Sequence, residues 1–309
     1  MTSDFLAYNA RNLLPYLLLA SPIVLLAVWL SVRNGLRPLQ LLADRIRSRT
    51  PGELQPVGFD ARHRELVPLV HALDDLLASA RHKLARERAF VQDAAHELRT
   101  PLAVVTAQAH VLARSPDAHE RAQAAPQLEQ AVLRAAHLAQ QLLELARLDE
   151  AQRPPAEPVD LAALLREALA EAFPAARARR IELALEAPEH LHQRADPMAV
   201  RSIATNLVDN AVRYSGGGQV RATLANLGSG GWSLLVQDDG VGIAPAEHGR
   251  VFERFYRSAG QAESGAGLGL AIVRQAALRL GGGVRIAAGL HGRGVGLLVE
   301  VPAAPAGRS

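Results

Sequence analysis

The sequence predicts a multidomain chain. It begins with a transmembrane helix and a helical linker, continues as an antiparallel helical hairpin that pairs with a second copy as a four-helix bundle, and ends in an α/β sandwich. Three observations carry this prediction. Residues 13–32 are uncharged over roughly the 20 residues that cross a hydrocarbon core as a helix. Residues 91–145 hold two heptad stripes separated by a break. Beyond residue 160, short β-prone runs alternate with amphipathic helical ones and glycine clusters. The implied segments are 1–12 as a short extracytoplasmic N-terminus, 13–32 as the span, 33–83 as a linker, 84–150 as the hairpin, 151–159 as a second linker, 160–304 as the sandwich and 305–309 as a tail.

Composition narrows the chemistry. With 49% hydrophobic residues and only 4% aromatics in 309 residues, Ala/Leu-rich helices are favoured over an all-β core. The net charge of +3 is small and its basic residues are scattered, so no nucleic acid partner is expected. The absence of cysteine excludes disulfides, thiol catalysis and cysteine-ligated metals. Lys83 is the only lysine, and Leu84 follows it. A P-loop needs GK[ST], and Ser/Thr-type protein kinases need a strand lysine beside a Gly-rich loop, so both are excluded. Any phosphate charge must be met by arginine.

In the span, Pro15 and Pro22 are tolerable in a membrane helix. A secretory signal peptide is the alternative, but Asp4 and Arg11 precede the stretch, no small-residue cleavage site is evident, and arginines follow at once. Arg33, Arg37, Arg45, Arg47 and Arg49 place the C-terminal body in the cytoplasm by the positive-inside rule. Only some dozen residues precede the span, too few for a folded sensor domain. Next, Leu36, Leu39, Leu42 and Ile46 form one helical stripe, with Pro38 opening the helix. Leu66, Leu69, Leu73 and Leu76 form another, with Glu65 near its start, across a Pro/Gly connector at Thr50–Gly58.

The hairpin stripes are Val91, Ala95, Leu98, Leu102, Val105, Ala109 and Leu112, then Leu128, Ala131, Ala135, Leu138, Leu142 and Leu145, with residues 115–126 breaking the pattern. One seam of this kind is too narrow to be buried alone, and dimerisation solves that. His96 follows seam position Ala95, so it stands off the core on an accessible face. A neutral imidazole, available because the ordinary side chain titrates near ~6.5, is a competent phosphoryl acceptor. Glu97 beside it is placed to orient the ring or take its proton. Thr100 lies one turn on, sharing the face of His96, and Pro101 should bend the helix.

After the Pro-rich residues 152–158, helices are expected near 160–172, 197–213 and 267–280, with strands near 181–186, 219–225, 232–238, 284–288 and 296–302. Asn206 and Asn210 point the same way from one helix. Asp238 ends a strand before Gly240 and Gly242, and Gly265, Gly267, Leu268 and Gly269 run into a helix N-terminus of the kind that attracts phosphate. Each motif alone is weak. Phe252, Phe255 and Tyr256 are placed to anchor a lid at Ser258–Ser264, with Arg257 reaching a terminal phosphate.

Five strings in fixed order change that weight: HELRTP at 96–101, NLVDNAVRYS at 206–215, DDGVGI at 238–243, FERFYR at 252–257 and GAGLGLAIV at 265–273. Together they resemble a bacterial two-component sensor histidine kinase. The two stripes of 33–83 resemble a HAMP linker, any membrane-proximal helical hairpin being the alternative, and the sandwich resembles the ATP-binding fold of histidine kinases, gyrase B subunits and Hsp90 chaperones. The resemblance implies a homodimer in the bacterial inner (cytoplasmic) membrane, with its catalytic part in the cytoplasm, that phosphorylates His96 from Mg-ATP. The group then passes to an aspartate of a separate response regulator. By the same resemblance Asn210 holds Mg²⁺, Asn206 and Arg213 lie near the phosphates, Tyr214 near the nucleotide, and Asp238 accepts the adenine amine. Glu97 to Thr100 matches an E-x-x-T pattern in which the threonine positions a water that dephosphorylates the regulator. A membrane-tethered scaffold without kinase activity and a non-kinase ATPase of the same fold are the alternatives; cis or trans transfer stays open.

Overall fold

The computed structural model describes residues 2–48, 55–56, 66–115, 117–149, 155–228, 230–258 and 266–303, giving for residues 2–19, 38, 42, 45 and 46 the backbone alone. The expected connector at Thr50–Gly58 (apart from 55–56), Glu65, most of the second linker, Gly265, most of the lid and nearly all the tail lie outside the described residues. The chain divides into two compact units, Met1–Ala89 and Phe90–Ser309.

The first unit is helical. α1 (Thr2–Arg47) includes the expected span and runs through Pro38 without stopping, contrary to the expectation that Pro38 opens a new helix. A proline inside a helix forfeits one backbone bond and crowds the preceding turn, a local cost that a long run of helix formers on both sides can carry. Ile23, Val24, Leu25, Leu26, Val28 and Trp29 are all exposed, and Arg33 caps the apolar stretch with its guanidinium 4.9 Å from the Trp29 ring centroid. Among the described residues no helix is long and apolar enough to cross a membrane. The side chains of 13–19, the first third of the expected span, lie outside them.

α2 (Val67–Arg114) is one continuous helix through Pro101, so the expected second short linker helix is the beginning of a long one. The reason is local: residues 77–90 are rich in Ala, Arg and Leu, with no Pro or Gly to stop a helix.

The second unit opens with the hairpin. α3 (Ala118–Asp149) starts within the expected break, because the Asp117 side chain accepts from His119 N at 2.8 Å and so caps it. The hairpin's apolar seam is split. Leu98, Val105, Leu128, Ala131, Leu138, Leu142 and Leu145 are buried or half-buried within the chain, while Val91, Ala95, Leu102 and Ala109 face solvent. A single line of side chains on α2 cannot meet α3 and a second surface together, so the stripe divides between them.

β1 (Glu157–Asp160), α4 (Leu161–Ala178), β2 (Glu182–Glu186), β3 (His192–Ala195), α5 (Pro197–Tyr214), β4 (Gln219–Gly228), β5 (Gly231–Asp238), α6 (Gly269–Arg279), β6 (Gly283–Ala288) and β7 (Val295–Val301) complete the fold. The main sheet runs β2-β4-β5-β7-β6, with β2 parallel to β4 and the other pairs antiparallel. α4, α5 and α6 pack side by side and against this sheet, the expected α/β sandwich. Ile203, Leu207 and Val208 of α5 meet Ile272 and Val273 of α6 and Val220, Val236 and Val299 of the sheet in a core that also takes in Leu145 and Leu148 of α3. The small β1–β3 ribbon was not foreseen, since four-residue strands leave almost no periodic signal.

Arg279 joins the pieces. Its Nε donates to Asp196, the N-cap of α5, at 2.9 Å, with both side chains at most 10% exposed. Its Nη1 donates to the carbonyls of Arg147 and Leu148 at the end of α3. Asp149 accepts from Arg254 and Gln275 at 2.6 and 2.8 Å.

Candidate functional site

α5 builds the floor of a cleft. Its apolar side is buried in the core, and its other side carries Asn206, Asp209, Asn210, Arg213 and Tyr214 along the cleft wall. Asn206 is buried, and its Nδ2 is spent on the Ser202 carbonyl at 2.9 Å, which turns its oxygen outward from that bond.

Asp238, at the end of β5, is only 2% exposed. Its Oδ1 accepts from Gly240 N at 2.9 Å and Val295 N at 3.3 Å, and among the described residues Oδ2 has no donor. Burial pushes its carboxyl above the usual range, against the opposing pull of those two N–H groups. The carboxylate therefore sits in the cleft with acceptor capacity unspent.

The opposite end is a helix start. α6 begins at Gly269 after Leu268, which offers no side-chain cap, so the first-turn N–H groups face the cleft without a described side-chain acceptor. Gly267 holds φ +68°, and a Cβ there would come within 2.6 Å of the Tyr256 carbonyl, so glycine is required. Tyr256 donates to Glu247 at 2.8 Å, and Phe252 and Phe255 pack against the core, anchoring the segment that ends at Ser258.

Of the expected residues, Asn206, Asn210, Arg213, Tyr214, Asp238, Gly242, Arg257, Gly267, Leu268 and Gly269 come together in this one cleft, with Gly240 bonded to Asp238 behind it. His96 is exposed on α2 and does not line this cleft. Its neighbours Glu97 and Thr100 line a second cavity of about 610 Å³ between the hairpin and the sandwich. The two cavities share His137, Gln141, Arg213, Arg257 and Ala266 as a common wall.

His137, Gln141 and Gly294 escaped the sequence reading. His137 and Gln141 stand on α3 as ordinary polar positions of a heptad helix, and only the packing of α3 against the sandwich puts them in the cleft. Gly294, at φ +68°, lets the chain pass Asp238 where a Cβ would lie 2.1 Å from its carbonyl; a glycine pair in a hairpin turn was its sole trace.

Chemically, the cleft offers a buried carboxylate acceptor at one end, a helix N-terminus and arginines at the other, and hard amide oxygens between. That set fits a ligand with an exocyclic amine at one end and a polyphosphate at the other, and the Asn206 and Asn210 oxygens suit a hard cation that keeps several waters.

Comparison with known proteins agrees. Residues 195–305 match the family described as histidine kinase-, DNA gyrase B- and HSP90-like ATPase. Residues 86–151 match the His Kinase A (phospho-acceptor) domain. Residues 36–82 match the HAMP domain of sensor protein PhoQ-like proteins. The chain is 37% identical over 270 residues to the swarming motility regulation sensor protein RssA of Serratia marcescens, covering 87% of this chain and 58% of that one. It is 36% identical over 272 residues to the signal transduction histidine-protein kinase/phosphatase MprB of Mycolicibacterium smegmatis, covering 82% and 53%. The chain thus spans somewhat over half the length of these relatives. The solved Acinetobacter baumannii histidine kinase AdeS shares the fold with a TM-score of 0.54 at 22% identity, covering 68% of this chain and 98% of that one.

Proposed function

The chain belongs to the bacterial two-component sensor histidine kinases, and from that premise we propose that it transfers the γ-phosphoryl group of ATP to His96 and then to an aspartate of a separate response regulator. The observation that carries this reading is the wall shared by the two cavities. The cleft suited to a nucleotide adjoins, through Arg213, Arg257 and His137, the space lined by Glu97 and Thr100 beside His96. A non-kinase ATPase of this fold has no use for a phospho-acceptor hairpin.

In this mechanism Asp238 accepts the adenine amine, and the uncapped N-terminus of α6 holds phosphate oxygens. Arg257 and Arg213 offset the charge that gathers on them. Asn210, with Asn206 near the phosphates, would hold Mg²⁺, which would supply charge neutralisation there. The His96 ring nitrogen forms a bond to the γ-phosphorus as the bond from that phosphorus to the bridging oxygen breaks, its electron pair leaving with ADP. Glu97 takes the proton released by the ring. Thr100, on the same helical face, positions the water that returns the regulator to its unphosphorylated state, in keeping with a relative whose name joins kinase and phosphatase.

The protein acts as a homodimer in the inner membrane with its catalytic part in the cytoplasm. The exposed Val91, Leu102 and Leu143 of the hairpin support the dimer. The uncharged residues 13–32, followed by Arg33 and Arg37, support the anchor and its orientation. The test is to incubate the full chain in lipid vesicles with γ-labelled ATP and Mg²⁺. Acid-labile, base-stable label on wild type and none on His96→Gln is expected; label persisting in that variant would reject the assignment.

A further inference from the structure

Far along the chain from His96, three metal-ligating side chains meet on the β1–β3 ribbon, and none of them lines either cavity. We infer that Asp160, His190 and His192 form a binding site for a divalent transition-metal ion of the zinc class. The inference goes beyond the kinase reading and does not depend on it.

The backbone makes the convergence. Asp160 pairs directly with His192 across the antiparallel ribbon, and cross-strand partners place their Cβ atoms ~4.5–5.5 Å apart on one face. His190 precedes His192 by two residues, and its ring stacks on that of His192 with centroids 5.7 Å apart and planes 6° from parallel. One ligand atom from each of the three residues lies within 4.8 Å of the others.

Asp160 is held in place before any ion arrives. Its Oδ1 caps α4 through Ala162 N and Ala163 N and also accepts from Leu191 N, while its Oδ2 meets His190 Nδ1 at 2.7 Å. An ion here would displace to solvent the proton held between Asp160 Oδ2 and His190 Nδ1, so that one carboxylate oxygen and the two imidazoles become its donors. Both histidines are exposed, so an ion can reach them and water can complete its coordination. Imidazole and carboxylate donors in a chain without cysteine favour zinc, cobalt, nickel or copper over Mg²⁺, which prefers oxygen alone. An ion here would clamp the start of α4 to the 190–192 segment, which Leu161 N already joins through the Leu191 carbonyl at 2.9 Å.

The test uses the full, untagged chain in detergent micelles, stripped with a chelator and titrated with Co²⁺ and, by competition with a chromophoric chelator, with Zn²⁺, in the presence of excess Mg²⁺. One equivalent per chain with a cobalt visible band is expected. His192→Ala leaves the Asp160–His190 bond intact, and it should weaken binding by at least ~10-fold. Asp160→Asn retains a capping oxygen for α4 and should weaken it ~10- to 100-fold. Zinc should raise the melting temperature of wild type and not that of His192→Ala. Equal affinity in wild type and His192→Ala, or a melting shift of the same size in both, would overturn the site and leave the trio as a hydrogen-bonded pin between strand and helix.

Discussion

Leu207 of α5 has no exposed surface, whereas Leu143 of α3 keeps 60% of its surface open, although both belong to amphipathic helices of the same unit. The sandwich closes its core within one chain, because a sheet face and three helices supply enough apolar surface to cover each other. The hairpin has only two helices, each with apolar residues on more than one side, so one side remains uncovered. Under the proposed function the division has a use: the sandwich supplies most of the nucleotide cleft, with His137 and Gln141 of α3 completing its wall, while His96 rides on the hairpin that leaves an apolar side uncovered.

The largest effect should come at the joint between the two regions. Arg279→Ala strands the nearly buried Asp196 and removes the donors to Arg147 and Leu148, and breaking a buried pair from one side costs ~3–5 kcal/mol. Denaturant unfolding should show that loss, with protease sensitivity appearing first near the end of α3; an unchanged midpoint would mean the joint contributes little.

Two leucines test the contrast itself. Leu207→Ala should cost about 2–5 kcal/mol whatever the protein concentration, as expected for a cavity in a closed core. Leu143→Asp should instead leave the sandwich melting unchanged and shift sedimentation from dimer to monomer. If Leu143→Asp stays dimeric, the hairpin face is not the interface.

Asp238→Asn separates binding from stability. Nucleotide affinity should fall roughly 10- to 100-fold, the worth of a charged hydrogen bond of ~1.5–3 kcal/mol. The fold should respond in the opposite sense. Burial raises the folded pKa of Asp238, so its charge opposes folding above that pKa and costs nothing below the unfolded value near ~3.9. Asparagine should thus be stabilising at neutral pH, by an amount that shrinks as pH falls through the folded pKa and vanishes near ~4. A variant that is less stable at every pH would contradict this.

The smallest structural effect is expected at Thr100, which is exposed. Thr100→Ala should leave melting and autophosphorylation unchanged while slowing regulator dephosphorylation by about 10-fold or more, within the range of an aligned hydrogen-bonding catalyst. Equal dephosphorylation rates would remove it from the mechanism.

Much of the sandwich was legible because its signals are local. The helix expected near 197–213, the strands near 219–225 and 232–238, and the glycine loop before the helix near 267–280 fall within a few residues of the observed ends of α5, β4, β5 and α6. The hairpin was legible in outline and misread in detail: the heptad marks which residues are apolar and not which neighbour each one meets, so Leu98 and Leu102 looked alike although one is packed and the other open. α1 and α2 outran their expected ends because helix propagates through good formers until something stops it, and Pro38 did not.

By itself the sequence determined most of the elements, their order and most of the residues that line the cleft, since these rest on periodicity and short motifs read within one segment. Only the tertiary structure decided that His137 and Gln141 of α3 complete the cleft wall, that Arg279 ties three segments together, and that Asp160, His190 and His192 converge. Those contacts join residues distant along the chain, and their geometry follows from how surfaces pack, which no local pattern encodes.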